Sequence, residues 1–323
     1  MTRTGNWKKA LLESSMPLEY EASRVLVSRG FSVNADFKYA WSDSEAFKDA
    51  AVDLHAVSAL PFANRQEAEA HIELLVNCES RHPDVLWVFL PDPNRPEFSP
   101  GRSGAALRVI DQFSPFVISP EPSAAFDAGL TLCFRGVEID AGTGETPGSS
   151  YKKSLSQLQN ALPRLFTENT LECLSGPTSE NRPFLFCPVL LTTAPLYVIQ
   201  REVKLADIQA AESVTEIGDP HPFLVLNSDF SPEFKARCMN EAGVLKDLLR
   251  TDEAMEIEMK KVRFYNSHSN LPLTIIDAVT SGQYAYLNAF FTRFIVCSLD
   301  GFPQLVDTLK QAADDSLATR TAV

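Results

Sequence analysis

The stretches AVDLHAVSA at residues 51–59 and IELLVNC at residues 72–78 decide the fold of this chain. Each is an apolar run interrupted by polar side chains, a pattern that predicts a pair of strands. Side chains alternate between the two faces of a strand, so Asn77 and Glu79 are expected on one face of the second strand. An acid such as Asp53 within an apolar strand is costly to bury unless it is paired or bound to a metal. The two strands therefore predict a polar site at one end of an otherwise apolar sheet.

Helices and further strands are predicted on either side of this pair. Residues 17–29 have apolar side chains at helical spacing, and Gly30 stands where a helix usually ends. Residues 151–166 predict a second amphipathic helix that is interrupted near Pro163. Other strands are predicted at residues 31–37, 131–139, 184–193 and 195–199, and the apolar run at residues 85–90 predicts a buried strand or helix segment. This mixture predicts an α/β fold with a mixed central sheet flanked by helices.

The chain is predicted to have two parts that meet near residue 200. Residues 1–200 are expected to form the core, with an insertion at about 91–123 that is rich in proline, serine and glycine. Residues 201–323 alternate helices with short strands and are expected to form a C-terminal α/β portion packed on the core. The polar tail at residues 315–323 is expected to be disordered.

The composition is that of an ordinary globular protein, with 45% hydrophobic and 22% charged residues. No apolar run approaches the roughly 20 residues that span a bilayer. The first residues also lack the apolar segment of a signal peptide. The six cysteines are scattered without metal-binding or redox spacing, which predicts buried, reduced thiols. We therefore expect a cytoplasmic protein with no membrane association.

The formal net charge of −13 bears on the partners that the protein can bind. A protein that grips nucleic acid needs local positive potential at the phosphates. That potential would have to come from local clusters, such as Lys152 with Lys153 or Arg102 with Arg108. The acidic balance lowers the expectation of tight, non-specific binding to DNA.

The sequence around these strands resembles the PD-(D/E)XK nuclease superfamily, which has the restriction-endonuclease-like fold. Three motifs carry the resemblance: YEASRVLVSRGF at residues 20–31, VDLHA at residues 52–56 and ELLVNCES at residues 73–80. They match an opening helix with a glutamate, a strand with a metal-binding aspartate, and the strand of the acid-x-lysine element. The resemblance covers roughly residues 15–200 and implies a restriction-endonuclease-like core with a C-terminal α/β extension.

The resemblance also implies a metal site. Glu21, Asp53 and Glu79 would bind Mg²⁺ or Mn²⁺ through their carboxylate oxygens. Two positions depart from the family pattern, since Asn77 replaces an acid and Glu79 replaces the lysine. Because an amide is a weaker ligand for a hard cation, Glu79 would have to act as a ligand in its place.

The catalytic residues implied by the resemblance are Asp53, Asn77 and Glu79, together with a substitute for the missing lysine. Asn77 would orient water or contact a phosphate. Lys152 or Lys153, at the start of the helix beside the sheet, would supply the cation.

Two functions follow from the resemblance. The first, which is the leading hypothesis, is metal-dependent hydrolysis of phosphodiester bonds in nucleic acid, with DNA favoured over RNA, in bacterial defence or DNA processing. The second is a catalytically inactive pseudonuclease that binds a protein partner as a binding or assembly module of a larger complex. The changes at Asn77 and Glu79 and the acidic charge favour the second function. The oligomeric state stays open.

Overall fold

A computed structural model describes residues 6–43, 46–61, 69–94, 104–111, 116–148, 150–175, 182–229, 231–247, 275–318 and 321–322. The protein is a mixed α/β protein with a large mixed central sheet flanked by helices. The helices are α1 (Asn6–Glu13), α2 (Met16–Ser28), α3 (Glu121–Gly129), α4 (Ser150–Ser175), α5 (Leu205–Ala210), α6 (Pro232–Glu241), α7 (Ile275–Thr280), α8 (Tyr284–Phe291) and α9 (Phe302–Ala318). Short 3-10 helices lie at Val214–Glu216 and Ala242–Asp247.

The strands come from every part of the chain. They are β1 (Ser32–Asp43), β2 (Ala46–Pro61), β3 (Glu69–Glu79), β4 (Val85–Pro91), β5 (Arg108–Ile110), β6 (Phe116–Val117), β7 (Leu132–Asp140), β8 (Phe184–Thr192), β9 (Leu196–Ile199), β10 (Gly218–His221), β11 (Phe223–Asn227), β12 (Arg293–Ser298) and β13 (Thr321–Ala322). Eleven of them form one sheet in the order β1-β2-β3-β8-β12-β11-β7-β4-β9-β10, with β5 also paired to β8, while β6 and β13 form a separate pair.

Strand β8 is the centre of the sheet. All of its residues are buried, and it pairs in parallel with β3 on one side. On the other side its partner changes, because β5 pairs with Phe184–Phe186 and β12 pairs with Val189–Thr192. Pro188 lies at this fork between the two partner strands. Because proline has no N–H to donate, a central strand tolerates a proline where the hydrogen-bond ladder to its neighbour is interrupted.

Helices cover both faces of the sheet, which gives the protein two cores. The first core lies beneath α4, α6, α7 and α8 and includes Trp87, Phe166, Phe186 and Phe291. The second lies beneath α2, α3 and α9 and includes Leu26. This three-layer arrangement explains why β8 is apolar on both faces.

Helix α2 begins and ends as its sequence predicts. Pro17 stands in its first turn, where the missing N–H removes no helical hydrogen bond. Leu18, Ala22 and Leu26 form its buried stripe. Gly30 follows with a φ of 83°, a left-handed conformation that glycine adopts without strain. The chain therefore turns directly from α2 into β1.

Strand β2 twists sharply at Asp53. Val52 packs in the first core whereas Leu54 packs in the second, although the two residues are only two positions apart. Ala35 pairs with Leu54 and Phe37 with Val52, and the pairing skips the residues between them. Asp36, in β1 at this point, has a φ of 58°. The twist turns the Asp53 side chain out of the regular alternation.

Three expectations from the sequence need correction. Helix α4 is continuous from Ser150 to Ser175 and contains Pro163, so the expected interruption does not occur. Strands β11 and β12 lie between β8 and β7, so residues after 200 complete the central sheet rather than pack on a finished core. Helix α9 runs to Ala318 with Leu317 buried, so order extends beyond residue 315.

The close pairing of β4 with β7 leads to a test of packing. Gly136 lies opposite Phe89, and a Cβ at Gly136 would lie 2.4 Å from a ring carbon of Phe89. Gly136→Ala is expected to lower the free energy of unfolding by about 1–3 kcal/mol, because a buried ring must move. Urea denaturation measures this change.

The matched control is Gly129→Ala at the end of α3, where an added Cβ meets nothing within 4 Å. In a Phe89→Leu background the loss of unfolding free energy caused by Gly136→Ala should be smaller, because the ring that the added methyl group would contact is absent. Equal costs in the two backgrounds would contradict the packing described.

Candidate functional site

Asp53 lies at the point where β2 and β3 separate. Their ladder ends at the pair Leu54 and Val76. Beyond it the Asp53 Oδ2 accepts a hydrogen bond of 2.6 Å from the backbone N–H of Cys78. The carboxylate thus takes over the role of a strand partner for this amide, and the sharp twist of β2 is what directs it there.

The electrostatic surroundings of Asp53 disfavour its charge. Burial raises the pKa of its carboxyl to about 6, while the Cys78 hydrogen bond acts in the opposite direction. The negative charges of Glu19, Glu79 and Asp36 raise the pKa further. Four carboxylates from α2, β1, β2 and β3 therefore influence one another at this end of the sheet.

Glu79 has partners of opposite charge, unlike Asp53. Its Oε1 accepts a hydrogen bond from the Ser154 hydroxyl on α4, and its Oε2 lies 2.6 Å from an Nη of Arg81. Arg81 also donates from Nε to Glu138 at 3.0 Å. Glu138 in turn accepts a hydrogen bond of 2.9 Å from the Tyr151 backbone N–H. This network ties the end of β3 to the start of α4.

Asn77 is buried on the same face of β3 as Glu79. Its Nδ2 donates to the Gln157 Oε1 on α4 at 3.2 Å. The amide is thus held by the helix that covers this face.

The other predicted residues lie apart from this network. Glu21 is exposed on α2, and Glu19 is the glutamate of that helix whose charge acts on Asp53. Lys153 is exposed on α4. The ammonium of Lys152 lies 5.9 Å from the ring centre of Tyr151, beside a cavity of about 450 Å³.

Two of the three carboxylates predicted to bind a metal ion have other partners in the structure. Within the described ranges, no three His, Cys, Asp or Glu side chains are grouped so that they could hold one. Glu79 is already paired with Arg81, and Asp53 is bound to a backbone amide. Binding of Mg²⁺ or Mn²⁺ therefore stays a prediction.

Arg81 is the residue of this region that the sequence interpretation missed. Its guanidinium lies 2.6 Å from the Glu79 carboxylate, whereas the sequence predicted that Lys152 or Lys153 would supply the cation at this site. Its position two residues beyond Glu79, just after the strand, is the signal in the sequence that could have indicated it. The Arg81 guanidinium also lies 5.8 Å from the ring centre of Trp87.

A second polar cluster, the His–Glu–His cluster (His55, Glu73 and His71), crosses the same two strands. Glu73 is buried, with its Oε2 at 2.5 Å from His55 Nε2 and its Oε1 at 2.9 Å from His71 Nε2. His71 also lies 2.7 Å from the Asn169 Oδ1 of α4 and stacks on the Phe184 ring. Alternation of side chains along β2 and β3 places the cluster on the face beneath α4.

The charges in this cluster stabilise one another. Burial alone would raise the pKa of Glu73, but its hydrogen bonds to His55 and His71 lower it to about 2. Burial lowers the pKa of His71, but its bonds to Glu73 and Asn169 outweigh that effect and raise it overall. The cluster is therefore a buried ion pair that is satisfied by hydrogen bonds.

Comparison with profiles of known protein families gives no match, and no curated protein and no solved structure matches the chain significantly. In the part of the chain that the structure covers, every helix is too short or too polar to cross a membrane.

Asp53→Asn tests the electrostatic cost of the charge on Asp53, because the asparagine amide keeps an oxygen that can accept the Cys78 hydrogen bond but has no charge. The folded-state pKa of about 6 exceeds the usual value, so the native state binds the proton more tightly. The Asp53 contribution to stability therefore falls as pH rises from about 4 to 6. Asp53→Asn is expected to raise the free energy of unfolding by about 1–2 kcal/mol at about pH 7.5, and by less at about pH 4. Urea titrations without divalent cations measure this, and destabilisation at the higher pH would contradict the raised pKa.

Glu73→Gln tests the buried ion pair. The lowered pKa of Glu73 gives stability above about pH 4.3 that is lost toward pH 2. The raised pKa of His71 gives stability that is complete below about pH 6.5 and is lost as pH rises through the folded-state pKa. At about pH 5.5 the free energy of unfolding of Glu73→Gln should be lower than that of the native chain by about 2–4 kcal/mol, and at about pH 8.5 the difference should be smaller.

The control is Glu69→Gln, an exposed position on the same strand. It should leave the stability profile within about 0.5 kcal/mol of the native chain. A pH-independent cost for Glu73→Gln would show that packing, not charge, holds the cluster together.

Proposed function

We propose that the chain is a restriction-endonuclease-like protein of the PD-(D/E)XK type that has lost phosphodiester hydrolysis. It acts as a binding or assembly module for a protein partner. The observation that carries this proposal is the pairing of Glu79 with Arg81 at 2.6 Å and with Ser154. The residue that stands in place of the lysine is thus a carboxylate with its charge already compensated.

The neighbouring position supports the same conclusion. Asn77, in place of the acid, is buried and bonded to Gln157, so its amide serves the packing of α4 on the sheet. Of the two predicted metal ligands on β2 and β3, Asp53 and Glu79, Asp53 is the one with no cation beside it among the described residues. A single such carboxylate is a poor site for a hard divalent cation, which takes several oxygen ligands. The net charge of −13 also disfavours a grip on phosphates.

One observation favours the active nuclease as a second candidate. Like charges from Glu19, Glu79 and Asp36 help to raise the pKa of Asp53. Carboxylates crowded in this way are relieved by a bound cation. An Mg²⁺- or Mn²⁺-dependent hydrolysis of DNA would need Glu79 to leave Arg81 and join Asp53.

Cleavage assays decide between the two candidates. Plasmid, single-stranded DNA and RNA are incubated with the native chain in Mg²⁺ or Mn²⁺, alongside Asp53→Ala and the control Glu69→Gln. The pseudonuclease proposal expects no cleavage by any of the three proteins and no rise in melting temperature on adding metal. Metal-dependent cleavage that Asp53→Ala abolishes and Glu69→Gln retains would overturn it in favour of the nuclease.

A restored motif tests the family resemblance separately. The double change Asn77→Glu with Glu79→Lys rebuilds the acid-x-lysine element beside Asp53. It is expected to bind Mn²⁺ in calorimetry where the native chain does not, because two carboxylates would then adjoin each other. A folded double variant that binds no Mn²⁺ would count against a restriction-endonuclease-like site at this end of the sheet.

A further inference from the structure

A cavity of about 420 Å³ opens at the fork where β5 and β12 share strand β8. Its walls come from β5, α3, the end of α8 and the start of β12, with further residues of β7 and β11. Most of the wall is apolar, including Leu107, Leu132, Val225 and Phe290. The cavity shares no lining residue with the Asp53 region, so it forms a separate feature of the fold.

Arg108 is the unusual residue of this cavity. It is fully buried, and its guanidinium lies 5.5 Å from the ring centre of Phe186. Its Nη1 donates to the Ala106 carbonyl at 2.8 Å and its Nη2 to the Arg293 carbonyl at 2.5 Å. Its buried Nε has no hydrogen-bond partner in the structure as described. A buried N–H donor without an acceptor is costly, which indicates that an acceptor belongs there.

Among the described residues, the charged groups of the cavity wall are two arginines and one aspartate. Arg293 lines it and is buried, so the wall contains two guanidinium groups. Asp127 is the single carboxylate among the lining residues that the structure describes. It accepts hydrogen bonds from the Ala106 N–H at 3.0 and 3.1 Å and from the Leu107 N–H at 3.3 Å, and lies 3.8 Å from Arg293.

Burial lowers the pKa of Arg108 to about 10, so its guanidinium is still charged at neutral pH. Asp127 lies beside Arg293, and Arg108 has no carboxylate within ion-pair distance among the described residues. An uncompensated charge in a low-dielectric site costs several kcal/mol, and an added anion would offset that cost.

We propose that this cavity is a binding site for a small monoanionic carboxylate with an apolar body, whose carboxylate pairs with Arg108. The single charge of Arg108 matches a carboxylate better than a phosphate monoester, which has a charge near −2 at neutral pH. The apolar wall fits an aliphatic or aromatic body, and the volume is that of a small-molecule site. The planar fork of a guanidinium binds carboxylates in defined geometry.

Ligand binding to the full chain tests the proposal, with hexanoate as the probe. Hexan-1-ol controls for the apolar body, and inorganic phosphate controls for the anion. Hexanoate in about tenfold excess over its Kd should raise the melting temperature by roughly 3 °C, and calorimetry should show one site. Phosphate and hexanol should give no shift at the same concentration.

Two variants locate the site. Ala128 lines the cavity from an exposed position of α3, so Ala128→Trp should block entry without disturbing the core. Ala125→Trp, exposed on the same helix but not part of the wall, is the matched control. Arg108→Met removes the buried charge and should abolish the rise in melting temperature on adding hexanoate. If Arg108→Met does not fold, Ala128→Trp tests the site by itself.

The outcomes separate clearly. Hexanoate binding that is lost in Ala128→Trp and kept in Ala125→Trp supports the proposal. No hexanoate binding, equal binding of hexanol, binding of phosphate alone, or hexanoate binding that survives in Ala128→Trp would each overturn it.

Discussion

The burial of β8 on both faces and along both edges is the constraint on which the rest of the structure depends. A strand in this position offers no surface to water, so every side chain from Phe184 to Thr192 must be apolar or hydrogen-bonded. Both cores are built against it, and three strands take their register from it. The helices on either face follow from this requirement, because each apolar face of the sheet needs a cover.

The same sheet contains three acids with different electrostatic environments on neighbouring strands. Glu73 is buried deeply but is compensated by two histidines, and Glu79 is compensated by Arg81. Asp53 has a backbone amide and the repulsion of nearby carboxylates. Burial alone does not set the pKa of a carboxyl, because its partners on adjacent elements decide whether the pKa is raised or lowered. Asp53 is the acid whose charge is least compensated, and acids of this kind are the ones most often found at functional sites.

Much of the local structure could be predicted from the sequence, because alternation and helical spacing are local signals. Helix α2 and strands β2 and β3 arise where the apolar pattern predicts them. The order of the strands could not be predicted, since β11 and β12 enter the sheet between β8 and β7 through contacts between residues far apart in sequence. Pro163 is another case, in which the tertiary packing of α4 overrides a local signal that usually interrupts a helix.

The candidate site was predictable only in part, for the same reason. The unusual position of Asp53 within an apolar strand is visible in the sequence, but its neighbours are not. Arg81 reaches Glu79 around the end of a strand, and Glu73 meets His55 across two strands. The buried Arg108 was visible only as a positive charge near Arg102. That its Nε has no described acceptor emerges only from the structure.

The insertion of β11 and β12 into the middle of the sheet has a consequence for biosynthesis. A ribosome releases the first 200 residues long before β12 at Arg293–Ser298 emerges. Until then the far edge of β8 has only the short β5 beside its first three residues, and the edge of β7 that later meets β11 also lacks its partner. Unpaired apolar edges invite association with other chains. The nascent protein is therefore most exposed to aggregation and most dependent on chaperones during this interval, which ends when the last strand closes the sheet.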